Sequence, residues 1–227
     1  MESLRGRLEN AVKKVSGWIV DAAFPEHCVA CGASGNAFCV ACETAVIPHP
    51  ASRVLGDGTK VVGLYPYATP AVRMLLGAYK FSSRGGAGDA LFRLTGRGCA
   101  AASTLLPHEP VVLVPIPLAL RRERERGFNQ AERFAEALLP ACPKGSRVLS
   151  LLVRTRMTAQ QSMLPTEERA ANVANAFALQ KGALLPDLPM IIVDDVVTSG
   201  ETLRAATAVL RAAGATRISA LTFAHAG

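Results

Sequence analysis

Between Met190 and Arg204 the chain reads Met-Ile-Ile-Val-Asp-Asp-Val-Val-Thr-Ser-Gly-Glu-Thr-Leu-Arg. Four apolar residues lead into two adjacent acids, then a hydroxyl-rich turn that opens a helix. An unbroken apolar run suits a strand covered on both faces, as in parallel sheets, with a helix on the way to the next strand. The first N–H groups of that helix lack partners and carry the positive end of its dipole. Thr198, Ser199, Gly200, Glu201 and Thr202 can therefore cradle a phosphate without a lysine, with Gly200 allowing close approach. Ligands of open parallel sheets sit beyond the carboxyl ends of the strands, where this reading puts Asp194 and Asp195. Two acids are poor company for a bare phosphate and good company for a ligand with neighbouring hydroxyls, as a ribose has. A capped helix after a core strand would explain Thr198 or Ser199 as an N-cap, but not the acid pair.

The rest of the chain fits the same architecture. Strands are predicted at Val61–Tyr67, Val111–Val114, Val148–Val153, Met190–Val193 and Ile218–Phe223. Helices are predicted at Pro70–Lys80, Asp89–Leu106 with interruptions at Gly96 and Gly98, Asn129–Leu139, and Glu201–Ala213 closed by Gly214. Strands and helices in alternation argue for an α/β fold, a parallel sheet flanked by helices on both faces. At about 150 residues per domain, 227 residues allow one such core and a small accessory module. There is no GxxxxGK[ST] loop, and Gly96-Arg-Gly98 lacks the third glycine and the preceding strand of a dinucleotide fingerprint.

The accessory module is legible in Cys28-Val-Ala-Cys31 and Cys39-Val-Ala-Cys42. Each hook offers two thiolates from one tight turn, and two hooks make the closed tetrahedron of a structural Zn²⁺ site. So short a segment cannot bury a core, and metal binding would hold it folded. Disulfides are disfavoured in the reducing cytoplasm, and a redox CxxC needs no second copy. Cys99 and Cys142 stand alone and read as small buried apolar side chains. Before the module, Leu4, Leu8, Val12, Val15, Trp18, Ile19 and Ala22 form one face of an amphipathic helix. Glu2, Glu9 and Asp21 dilute its basic residues, so packing against the module is preferred to membrane docking. The expected division is helix 1–24, zinc module 25–48 and α/β domain 49–227.

The formal net charge is +7, which suits anionic partners. Much of the excess falls between Arg121 and Arg169. The longest apolar run, Val111 to Leu120, contains two prolines and is far short of the roughly 20 residues a spanning helix needs. Glu9, Lys13, Lys14 and Asp21 break any secretory signal core, so a cytoplasmic protein without a membrane span is expected. The four histidines are scattered and none is assigned a catalytic role: His27 adjoins Cys28 and could perturb the metal site, which four thiolates already complete, and His49, His108 and His225 read as surface or loop residues.

Several segments are similar to known families. Val193-Asp-Asp-Val-Val-Thr-Ser-Gly-Glu-Thr202 resembles the phosphoribosyl-diphosphate (PRPP) signature of type I phosphoribosyltransferases, with Ser199 where Thr is commoner. The resemblance implies that Asp194 and Asp195 hold the ribose hydroxyls and the following loop the 5′-phosphate. Val114-Pro-Ile-Pro-Leu with Arg121-Arg-Glu-Arg-Glu-Arg126-Gly-Phe-Asn-Gln130, the run from Arg156 through Thr158, Gln161, Leu164, Arg169 and Asn172 to Phe177, and Tyr79-Lys80-Phe81 resemble the ComF family and its relative GntX. That family joins an N-terminal zinc module to a phosphoribosyltransferase-like domain, and the likeness runs from about residue 25 to the last. It implies a pyrophosphate-binding loop at Pro115 and Ile116, PRPP contacts from Lys80 and Arg156, and a hood over PRPP from Arg154 to Arg169. Arg121, Arg122, Arg124 and Arg126 would add charge to bind an anion or nucleic acid, about half of them being alternatively a solvated helix start with local Arg–Glu pairs. Asn129 and Gln130 look like a poor helix entry after Gly127 unless their side chains hold something.

Two functions follow from the resemblance. In one, the domain binds PRPP with Mg²⁺ and passes the phosphoribosyl group to an acceptor that the sequence does not identify. In the other, it handles single-stranded DNA in natural competence, beside a helicase or recombination mediator, and uses the fold as a phosphate and ribose binder. Aromatic residues are only 5% of the chain, so no base-stacking platform is evident.

Overall fold

The structure, a computed structural model, describes residues 26–81, 86–155 and 176–226. The expected helix 1–24, Arg156 and the hood beyond Thr155 lie outside the described residues. The elements in chain order are α1 (Val40–Ala45), β1 (Ala51–Val54), β2 (Lys60–Pro66), α2 (Pro70–Phe81), α3 (Gly86–Ala101), β3 (Val112–Pro115), α4 (Leu120–Arg126), α5 (Gln130–Leu138), β4 (Arg147–Val148), β5 (Leu152–Arg154), β6 (Phe177–Leu179), β7 (Met190–Val197), α6 (Glu201–Ala212) and β8 (Ile218–His225).

Six strands form one sheet in the order β1-β2-β8-β7-β3-β4. All its pairings are parallel except β1 with β2. Because successive strand residues face opposite ways, the sheet builds two cores. Val62, Leu64, Leu113, Ile191, Val193, Leu221 and Phe223 face α2, α3 and α5. Val61, Val112, Val114, Ile192 and Ala220 face α6 and the short β5–β6 pair. Helices thus cover both faces, as the alternating pattern requires.

The structure departs from the sequence reading in particular places. The helix expected to break at Gly96 and Gly98 runs through both. Gly98 is there for contact: a Cβ on it would lie 2.9 Å from Leu64 and 3.0 Å from Tyr65, so its absence lets α3 press onto β2. The predicted strand Val148–Val153 is two strands. Arg147 and Val148 pair with β3, and the backbone then leaves the main sheet so that Leu152–Arg154 pairs antiparallel with β6. The antiparallel β1 was not foreseen. His225, expected on a loop or the surface, is the last residue of β8. Cys99 is buried and Cys142 packs at the edge of the first core, and burial pushes the Cys99 thiol up to about 12.

The cysteine segment is joined to the first core, which includes Cys28, Phe38 and Val46 alongside Leu91 and Leu94. Arg93 of α3 reaches Glu43 of α1 with three hydrogen bonds of 2.6 to 3.0 Å, and Arg97 donates to the Glu43 carbonyl at 2.7 Å. No helix among the described residues is long and apolar enough to cross a membrane.

Candidate phosphoribosyl cleft and metal centre

The cleft exists because β3 and β7 end at different heights. Their last paired residues are Pro115 and Val193. Beyond this point β3 turns away, while β7 continues to Val197 alongside β8. The residues Asp194 to Val197 are therefore edged by β8 on one side and open on the other. Sequence reasoning ended this strand at Val193; β-branched Val196 and Val197 keep it extended, and β8 is long enough to pair with them. The opening lies where connections diverge, since β7 leads through α6 to β8 on one side and β3 through α5 to β4 on the other, as at ligand-binding switch points of open α/β sheets.

A cleft of about 260 Å³ fills this opening, lined among others by Lys80, Ile116, Arg122, Arg126, Gln130 and Arg154, with Asp194, Asp195, Thr198 and Thr202. Adjacent acids on a strand must point to opposite faces. The cleft wraps the free edge of β7 and takes in both. Asp195 Oδ2 meets Lys80 Nζ from α2 at 2.5 Å. Asp194 accepts a hydrogen bond from the Asp195 backbone N–H at 2.8 Å. Desolvation, reinforced by the neighbouring Asp195 charge, pushes the Asp194 carboxyl up to about 8.

The turn after β7 is braced from outside. Gly200 occupies the N-cap of α6 with φ +81° and offers no side chain to the helix amides. Neither Thr198 nor Ser199 is the cap, so the simple capped-helix explanation of this turn does not hold. A Cβ on Gly200 would come within 2.6 Å of Leu55, and Arg53 of β1 hydrogen bonds to the Thr198 carbonyl. The unforeseen edge strand and its loop therefore set the shape of the turn.

The loop after β3 is braced in turn by the Gly127–Gln130 segment. Gly127, with φ +76°, ends α4. Asn129 caps α5, its Oδ1 accepting from the Ala131 N–H at 3.1 Å while its Nδ2 donates to the Ile116 carbonyl at 3.0 Å. The side chains of this entry do hold something, as the sequence reading required: Asn129 caps α5 and also holds the loop. Gln130 is buried and accepts from Arg126 at 2.9 Å.

The four arginines of α4 part ways. Arg122 and Arg126 line the cleft. Arg121 pairs outward with Glu125 at 2.8 Å, and Arg124 is exposed and is not among the lining residues. Pro115, Ser199, Gly200 and Glu201 shape the walls without lining the cavity. Arg154, which sequence reasoning placed only at the start of the hood, lines the cleft and rests over the Phe177 ring at 5.4 Å. Its signal was weak because the β5–β6 pairing joins segments distant in sequence. Burial first, and the Arg122 charge second, push both Arg126 and Arg154 down from the usual guanidinium range.

The sulfur atoms of Cys28, Cys31, Cys39 and Cys42 all lie within 4.8 Å of one another, and Cys31 and Cys39 are 3.6 Å apart. Zn–S bonds of about 2.3 Å in a tetrahedron put sulfurs roughly 3.8 Å apart, so the four thiols fit such an ion and the cluster can hold a metal. The Cys39 N–H donates to Cys28 Sγ at 3.4 Å. Burial pushes Cys28 up, but backbone donors from Cys39, Ala30 and Cys31 outweigh it and bring the thiol down to about 6. Cys42 is pushed up, first by burial and then by the other thiols. A bound cation would relieve that mutual repulsion.

Residues 124–227 match the phosphoribosyl transferase domain family. Over 156 residues the chain is 36% identical to the DNA utilization protein YhgH of Salmonella typhi, covering 66% of this chain and 65% of that protein. It is 35% identical over 164 residues to the protein of the same name from Escherichia coli (strain K12), covering 70% and 69%. It is 32% identical over 126 residues to competence protein ComFC of Bacillus subtilis (strain 168), covering 53% and 47%. The matched part spans 65% of the length of the Salmonella relative, so the comparison reaches about two thirds of that protein. The family match takes in Arg126, Gln130, Arg154, Asp194 and Asp195 of the cleft, and a cysteine cluster stands ahead of it as the resemblance implies: the chain belongs to the ComF family of proteins carrying a phosphoribosyl transferase domain.

Proposed function

We propose that this chain binds a 5-phosphoribosyl group, with PRPP and Mg²⁺ as its ligand, in the cleft between β3 and β7. The observation that carries the reading is the convergence in one cavity of Asp194 and Asp195 with Thr198 and Thr202, which flank the uncapped start of α6. Carboxylates accept hydrogen bonds from vicinal hydroxyls, and helix amides donate to a phosphate. Arg122, Arg126 and Arg154 supply charge for a second anionic group on the same ligand. Mg²⁺ would arrive with the diphosphate and neutralise part of its charge. Transfer would break the bond from ribose C1 to the pyrophosphate oxygen, and the electron pair would leave with pyrophosphate. The acceptor would bond to C1 and give up its proton to solvent, while the acids stabilise positive charge on the sugar. In this reading the cysteine cluster holds a structural Zn²⁺, and the chain divides into helix 1–24, zinc module 25–48 and domain 49–227 in a cytoplasmic protein.

The experiment is a calorimetric titration of the full chain with PRPP, with and without Mg²⁺, beside the Asp194→Ala/Asp195→Ala double variant. Binding that needs Mg²⁺ and the acids supports the reading, and equal binding by the variant overturns it. Pyrophosphate release across a panel of bases and amines then tests transfer.

The names of the relatives favour a second reading, in which the cleft serves DNA utilization during competence. Single-stranded DNA would bind along Arg122 and Arg126, with a helicase or recombination mediator as partner. Such binding would weaken steeply with salt. Arg122→Ala with Arg126→Ala should flatten that slope, and an unaltered slope removes the arginines from the path.

A further inference from the structure

The cleft crowds like charges at its β3 side. Arg122 and Arg126 stand one turn apart on α4, and Arg154 enters from β5. Arg122 has no salt bridge among the described residues, and the pairing within α4 joins Arg121 to Glu125 on the outer side. Arg122 and Arg126 on one face of α4 suit an anionic group with several acceptor oxygens, which a diphosphate supplies.

Gln130 is the unusual member of this group. It is 3% exposed, opens α5 and lines the cleft. Its Oε1 accepts from Arg126 Nη1 at 2.9 Å. A guanidinium can only donate, so the contact fixes the amide: oxygen toward Arg126 and nitrogen away from it. That nitrogen is buried without a hydrogen-bond partner among the described residues. A buried donor left unpaired costs stability, and methionine, of similar length and volume, would avoid the cost. A side chain that weakens the fold in this way, while gripping a cleft arginine, serves the site rather than the core.

We propose that Gln130 is a positioning residue for the anion end of the cleft, holding the Arg126 guanidinium toward a diphosphate group. The inference rests on the phosphoribosyl reading and deepens it. It assigns diphosphate recognition to the Arg126–Gln130 pair, apart from the α6 turn that would hold the ribose phosphate. Phe128 fixes the same corner, since it packs on Tyr79 at 5.4 Å and under Arg133 at 5.3 Å. The residue between it and Gln130 is the cap Asn129, so Gln130 has little freedom to move.

The test titrates inorganic pyrophosphate with Mg²⁺ and, separately, ribose 5-phosphate into the full chain and its Gln130→Met, Arg126→Ala and double variants. A hydrogen bond to a charged group predicts that Gln130→Met weakens pyrophosphate binding about tenfold. Ribose 5-phosphate binding should change by less than roughly twofold, and Tm should hold or rise, since an unpaired donor has gone. On the Arg126→Ala background, Gln130→Met should add nothing, because its effect passes through that arginine. Unchanged pyrophosphate binding overturns the proposal. So does an equal loss of both ligands with a lowered Tm, which marks a packing role, and so does an additive loss on Arg126→Ala. If the unaltered chain takes up neither ligand, the phosphoribosyl reading fails and this inference falls with it. If it takes up both and Gln130→Met changes neither, only this inference falls.

Discussion

Lys80, on the last turn of α2, places its ammonium 2.5 Å from Asp195 at the free edge of β7. The pair ties a helix of one core to the strand that carries both acids, and it offsets one negative charge where an anionic ligand is proposed to lie. Each side chain is between a fifth and a third exposed, so its contribution to stability is under about 1 kcal/mol. Its effect on binding is larger, because without the ammonium an anionic ligand meets the uncompensated charge of Asp195. Lys80→Ala should leave Tm nearly unchanged and weaken PRPP binding about tenfold by calorimetry. A large loss of Tm with intact binding would make Lys80 a structural residue.

Asp194 gives a pH dependence whose sign is fixed. Its carboxyl is pushed up to about 8, whereas an unfolded aspartate titrates near about 3.9. Between those values the folded chain holds a proton that the unfolded chain has lost, so stability falls as pH rises. One such group gives a slope of at most about 1.4 kcal/mol per pH unit. Asp194→Asn keeps an oxygen to accept from the Asp195 N–H and removes the titration. Melting curves from about pH 5 to about pH 8, with zinc present throughout, should decline for the native chain and be flatter for the variant. Parallel curves would show that Asp194 is ionised across the range.

Much of this site was legible in the residues because its parts are local. Asp194 through Thr202 lie in one continuous stretch, and strand, turn and helix follow from apolar runs and from Gly200. The cysteine hooks are equally local, since four ligand positions within fifteen residues define their own geometry. What escaped was carried by pairings distant in sequence. Arg53 and Leu55 brace the 198–200 turn from more than a hundred residues away, and nothing in the short Ala51–Val54 segment announces it. Arg154 reaches the cleft because β5 pairs with β6. The split of Val148–Val153 into two sheets has the same origin, as a largely apolar stretch does not say which neighbour each residue pairs with. What Asn129 holds was open for a different reason: a polar residue near a glycine can be a helix stop or a cap, and the Ala131 N–H decides.

The brace on the α6 turn predicts a coupled pair of substitutions. Gly200→Ala forces a Cβ into a backbone at φ +81° and within 2.6 Å of Leu55. The left-handed conformation costs about 1–2 kcal/mol, and the overpacking adds about 1–3 kcal/mol. Leu55→Ala removes the obstacle at its own cost of about 2–5 kcal/mol. In the double variant Gly200→Ala should cost only its backbone part, so the sum of the single losses should exceed the measured loss. Urea denaturation of the three variants measures this, and strict additivity would mean that Leu55 does not back the turn.

Metal removal should reach far beyond the cysteine cluster. Cys28, Phe38 and Val46 are buried in the same core as Leu91 and Leu94 of α3, and Glu43 is gripped by Arg93 and Arg97. A module hung on a flexible linker would unfold alone when stripped of metal, leaving the main melting transition in place. A module that supplies part of the core takes that burial with it when it unfolds. The chain should therefore bind about one zinc, lose it in Cys28→Ser or Cys39→Ser, and melt at lower temperature after chelation in one shared transition. Glu43→Ala should loosen this coupling without removing a ligand, so that zinc content stays the same while chelation shifts the main transition less. Scanning calorimetry with parallel metal analysis reads both quantities, and a main transition indifferent to chelation would mean that the cysteine segment does not support the domain core.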